Sequence, residues 1–124
     1  MAAYGVKLGM DHETALKIGS PFGGGMGLMG ETCGAVTGAF MIIGLKQGAT
    51  DTKNKESKAR TYELVKKFVK RFKTRNDSII CRELIGFDID SKKDLDPDSW
   101  MIVIERCPDY IKDASEILEE ILED

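Results

Sequence analysis

The residues with the widest chemistry in this chain are three cysteines, Cys33, Cys81 and Cys107. A thiolate can act as a nucleophile, a soft metal ligand or one half of a disulfide. No two of them form a C-x-x-C pair, and the absence of C-x-x-C-H excludes covalent haem attachment. A lone buried cysteine is ordinarily an inert small hydrophobe. Each of these, however, falls at a predicted helix start. Cys33 follows Thr32, a good N-cap, and Cys81 comes three residues after Ser78, another cap. Cys107 itself takes the cap position before Pro108, with proline as the first helical residue. Helix N-termini carry partial positive charge and free N–H groups, which favour thiolate over thiol. The expectation is that the three thiols converge on one redox or metal site.

Other motifs lead elsewhere or nowhere. Gly25-Met26-Gly27-Leu28-Met29-Gly30 matches the dinucleotide pattern G-x-G-x-x-G, but Ser20-Pro21 and a helix precede it, not a strand. No P-loop lysine follows a glycine run. Asp88, Asp90 and Asp94 hint at a calcium loop, yet Lys93 stands where glycine is required and Ser99 where the bidentate glutamate should be. These acids read as a solvated loop. His12, the single histidine, sits between Asp11 and Glu13 in a polar first turn and reads as a surface residue. Met26 and Met29 are soft atoms beside the glycines, but filling gaps in a core is the commoner use of methionine.

The elements that must position the thiols are helices. Residues 2–9 read as a helix tail that Gly9 ends, and Asp11 caps a short helix through Ile18. The glycine-dense loop from Pro21 to Thr32 follows. The next helix, Cys33 to about Gln47, is apolar nearly all round and should be central. Its Gly34 and Gly38 each cost about 1 kcal/mol relative to alanine, so they should face a neighbouring helix backbone or the cysteine site. A long helix from about Asp51 to Arg75 carries the stripe Tyr62, Val65, Phe68, Val69 and Phe72. A short helix holds Cys81 and Leu84 and stops at Gly86. Residues 87–99 read as an acidic loop and Trp100 to Ile104 as a buried connector. The last helix starts at Cys107-Pro108, with Ile111, Ala114, Leu118, Ile121 and Leu122 as its buried stripe. The fold expected is all-α, a small bundle of four to five helices in a single domain over residues 1–124.

Composition sets the outer limits. Apolar residues make up 42% of the 124 and the net charge is −3, so disorder is disfavoured and one core can form without disulfides. The acidic balance also disfavours nucleic acid as a partner. No apolar run of about 18 residues occurs, so no membrane insertion is expected. No signal-like segment opens the chain, which makes the cytoplasm the default address. Charge is uneven: ten Lys/Arg against three acids from Asp51 to Arg75, and fourteen acids against four basic residues from Glu83 to Asp124. Two helix faces that attract one another across the fold are the simplest reading; a basic patch for an acidic partner is the sharper one.

The segment FGGGMG, then CGAVTG from Cys33 to Gly38, then CREL at Cys81 and a terminal C-P-x-Y at Cys107, resembles the C_GCAxxG_C_C family of redox-active proteins. The resemblance implies a small helical protein with four cysteines, three of them matching Cys33, Cys81 and Cys107. The family's first cysteine lies on an N-terminal helix a little upstream of Ala2-Ala3-Tyr4. The expectation is therefore either a chain that is shortened at that helix or a site with three thiols.

The leading reading is a cysteine-based redox protein that holds an iron–sulfur cluster or another thiolate-bound metal. Its ligands would be Cys33, Cys81 and Cys107, with Gly24, Gly25, Gly27, Thr32 and Gly34 around them as cofactor-binding backbone. The fourth ligand position would go to solvent or to a residue of another subunit, which makes a homo-oligomer one expectation beside a redox partner protein. A metal-free thiol–disulfide oxidoreductase, with Cys33 as nucleophile and Cys81 or Cys107 as resolving thiol, is the alternative. A third is a non-catalytic helical interaction module with structural cysteines.

Overall fold

The computed structural model describes residues 2–51, 53–87 and 96–122, and it is helical throughout. The elements are the single turn α1 (Ala2–Gly5), α2 (His12–Gly19), α3 (Gly34–Gln47), α4 (Lys55–Asn76), α5 (Cys81–Ile85) and α6 (Pro97–Leu122). Short 3-10 turns extend α1 and α2 at Val6–Leu8 and Ser20–Phe22. No strand forms among the described residues, only an isolated antiparallel bridge between Thr32 and Ile80. An all-α bundle is thus what the chain makes, and no Rossmann unit surrounds Gly25 to Gly30. Asp88, Asp90 and Asp94 lie outside the described residues.

Local signals set most boundaries. The Asp11 carboxylate accepts the Thr14 N–H at 3.0 Å and starts α2. Gly9 and Gly86 end their elements with φ of +99° and +85°, which glycine adopts at no steric cost. The Asn54 side chain caps α4 by accepting the Ser57 N–H at 3.1 Å, so that helix starts four residues later than its polar lead-in suggests.

The core lies where α3, α4 and α6 meet. Val36 and Ile43 of α3, Leu64, Phe68 and Phe72 of α4, and Ile117 of α6 are fully buried there. The Phe68 ring stands edge-on to Phe40 and stacks with Phe72 at centroid distances of 5.9 and 5.8 Å. The buried row of α4 differs in phase from its most regular apolar spacing. Leu64 is inside, whereas Tyr62 is 62% exposed. The two charge blocks do attract one another across the fold. Arg75 of α4 meets Glu116, Asp113 and Glu120 of α6 at 2.7, 3.3 and 3.3 Å, and Arg71 meets Glu120 at 2.7 Å. Such exposed pairs are worth about 0–1 kcal/mol each, so they orient α6 on α4 more than they stabilise it.

One boundary is a correction. The last helix begins at Pro97, not at Cys107, and takes in Trp100 to Ile104, of which Trp100, Met101 and Ile104 are exposed and not buried, as is Ile111 further on. Asp96 accepts the Ser99 N–H at 2.7 Å, with Pro97 as first helical residue. Pro108 therefore sits in a helix interior, where it removes one backbone bond. Contacts on both sides hold the helix through it. Ile102, Val103 and Cys107 pack against Cys81 and Ile85, and the Tyr110 hydroxyl donates to the Leu84 carbonyl at 2.8 Å.

Candidate redox site

Two of the three thiols are placed by one piece of backbone pairing. Cys33 N–H donates to the Ile79 carbonyl at 2.8 Å, and Cys81 N–H donates to the Glu31 carbonyl at 2.6 Å. These bonds flank the Thr32–Ile80 bridge. Cys33 and Cys81 are thereby diagonal cross-strand neighbours, a relation that puts α-carbons about 7–8 Å apart. Cys33 is the N-cap of α3 and Cys81 the first residue of α5. Cys107 reaches the same place from the middle of α6, packed against Cys81 and Ile85. Only two of the three are at helix starts.

The glycine loop closes over them in an unusual shape. Five consecutive residues, Gly24 to Leu28, have φ between +62° and +73°. They form a left-handed turn, which costs roughly 1–2 kcal/mol at each non-glycine residue, here Met26 and Leu28. Backbone bonds offset that strain: Met26 N–H to Phe22 O, Leu28 N–H to Gly23 O, Gly30 N–H to Gly24 O and Glu31 N–H to Gly25 O, all 3.0–3.1 Å. The turn presses Gly25 onto the site. A β-carbon there would stand 2.6 Å from the Cys81 β-carbon and 2.7 Å from the Glu31 nitrogen. The buried Gly25 N–H itself meets no acceptor among the described residues.

A cavity of about 380 Å3 opens between the loop, α3, α5 and α6. Cys33, Cys81 and Cys107 all line it, as do Gly24, Gly25, Gly34 and Gly38. No charged side chain does; beyond the sulfurs, the side-chain polar groups are those of Tyr4 and Ser115. Gly34 is required at its position by close approach, since a β-carbon would come within 3.1 Å of the Phe22 carbonyl oxygen. Of the other candidate residues, Gly27 is exposed and Thr32 is taken up in the bridge; neither lines the cavity. Tyr4, Phe22 and Ser115 line it without any signal in the sequence that marks them. No three Cys, His, Asp or Glu side chains among the described residues stand close enough to share one metal ion. His12 is exposed and lies outside the cavity lining.

The electrostatics reverse the expected sign. All three cysteines are free, and burial raises the pKa of each. For Cys33 the amides of Ala35 and Val36 at the start of α3 offset part of that, although no formed cap bond is present. Cys81 is pushed from 9.0 to about 11, by burial first and then by the neighbouring Cys33 and Cys107. Cys33 also raises Cys107. Desolvation outweighs the helix ends, so the site at neutral pH is three thiols and not three thiolates.

The sequence model of one family, described as "Putative redox-active protein (C_GCAxxG_C_C)", matches residues 1–121. No curated protein and no solved structure matches the chain. No described helix is long and apolar enough to cross a membrane.

Two outcomes follow from this geometry. Gly25→Ala must both strain a φ of +73° and overlap Cys81, so a loss of at least about 2 kcal/mol is expected in chemical denaturation. Gly27→Ala shares the left-handed φ but meets nothing closer than 3.8 Å, and should cost only about 1 kcal/mol. The second outcome concerns pH. Between the ordinary thiol value and about 11, Cys81 keeps its proton when folded and loses it when unfolded. Stability should fall as pH rises through that window, and Cys81→Ala should flatten the fall.

Proposed function

From its place in the C_GCAxxG_C_C family, to which this chain belongs, we propose that Cys33, Cys81 and Cys107 act together as one redox centre that holds a thiolate-bound, iron–sulfur type metal group. The observation that carries the reading is three thiols, from three separate elements, around one uncharged cavity. Cysteines that serve only as packing have no reason to meet.

The donor set is what supports a metal group. Thiols are the usual protein ligands of iron–sulfur clusters. Gly25, whose N–H meets no acceptor among the described residues, lines the same cavity as the three sulfurs. When bound, such a group would supply one-electron transfer.

The remaining work belongs to the chain. The bridge at Thr32 and Ile80 orients Cys33 and Cys81, and α6 brings Cys107. Ala39, Ile42 and Leu118 keep water from one side of the cavity. Each thiol holds its proton at neutral pH and must release it to become a ligand, so metal affinity should increase with pH. A metal-free thiol–disulfide enzyme would need the same deprotonation, since its nucleophile is a thiolate.

Anaerobic incubation of the reduced chain with ferrous iron and sulfide tests this. Iron and sulfide should be retained in similar amounts, with visible absorption, and Cys33→Ser should abolish both while far-UV circular dichroism stays helical. A reversible disulfide without metal uptake would instead assign the thiol–disulfide alternative. Inert thiols that take up no metal would leave structural cysteines.

A further inference from the structure

The first half of α6 presents an apolar row to solvent. Met101, Ile104, Pro108 and Ile111 follow one another at spacings of three, four and three residues, the pattern of a helix–helix seam. Met101, Ile104 and Ile111 are 51%, 60% and 58% exposed, and Trp100 beside them is 49% exposed. A run of four large apolar side chains on one short stretch of helix marks an interaction face more than scattered exposure does. Pro108 adds to it. It is itself exposed at the centre of the row and offers no N–H to the Ile104 carbonyl.

The charges beside the row identify the occupant. Glu105 and Lys112 lie on the same flank, one on each side of Pro108. Both are exposed, and neither makes an ion pair among the described residues. Other charges of α6 are used within the fold: Asp113, Glu116 and Glu120 meet Arg71 and Arg75 of α4. A second copy of this stretch, laid antiparallel about a two-fold axis near Pro108, brings each Glu105 to the Lys112 of the other copy. The same operation lays the stretch from Ile104 through Pro108 to Ile111 of one copy against that of the other. The pattern is complementary to its own reverse, which is what an isologous interface requires.

We propose that this face of α6 is the interface of a symmetric dimer of this chain. Ile111 belongs both to the row and to the lining of the thiol cavity, and Cys107 lies between Ile104 and Ile111. Each copy therefore covers the cavity edge of the other. The inference goes beyond the metal reading and does not depend on it.

Sedimentation of the reduced, metal-free full chain over a range of concentrations tests it. The wild type should show twice the chain mass. Ile104→Asp with Ile111→Asp should give a monomer with unchanged helical circular dichroism, since both sites are exposed. Glu105→Lys should weaken association about tenfold, and adding Lys112→Glu should restore it. A wild type that stays monomeric at every concentration, or a charge swap that restores nothing, overturns the dimer. Metal uptake is measured separately, so either reading can fail alone.

Discussion

Residues 30–33 and 79–82 are held together by three backbone hydrogen bonds: Cys33 to Ile79, Cys81 to Glu31, and Arg82 to Gly30, at 2.8, 2.6 and 3.1 Å. The meeting of Cys33 and Cys81 at one cavity depends on this clip. Cys33 belongs to the α3–α4–α6 core, and Cys81, with Cys107 packed on it, to the separate small cluster around Ile85; the clip joins the two. The clip closes a long loop, but loop-closure entropy grows only slowly with length. α4 folds within that loop and packs on α3, so its own burial offsets most of the closing cost. Cys33 and Cys81 are brought together by main-chain bonds, which substitutions other than proline leave in place, and Cys107 by the packing of α6.

The glycine turn is fitted to the clip and strained by it. Gly30 and Glu31 follow the left-handed run and pair with Arg82 and Cys81. That leaves Gly25 so near Cys81 that no side chain fits. Strain of this sort is usual where a site needs backbone at close range. The apolar lining completes the arrangement. It keeps the three sulfurs protonated, and each must lose its proton before it can bind a metal or attack as a nucleophile.

Much of this was legible in the sequence, and the gaps have physical causes. Asp11, Gly9 and Gly86 mark their boundaries because caps and left-handed stops are local chemistry. Cys33, Cys81 and Cys107 were identifiable as a set, as were Gly24, Gly25 and Gly34 around the cavity. Pro108 misled because its preference for a first helical turn is local, whereas the packing of Ile102 and Val103 on Ile85 is tertiary and prevails. Tyr62 fits the apolar period of α4, but two helices press on α4 and select Leu64 instead. Thr32 is a good cap in isolation; the bridge to Ile80 takes it away and moves the cap to Cys33. The sign of the thiol pKa shifts could not be read either. Burial depth decides it, and depth follows from the clip.

The central claim is that the three thiols form one unit. The most direct measurement is a count by mass spectrometry of alkylated cysteines in chains given less iron and sulfide than they can bind. One shared centre predicts two populations, chains with all three thiols modified and chains with none. A graded series of one, two and three modified thiols, with Cys33, Cys81 and Cys107 protected independently, would contradict the account.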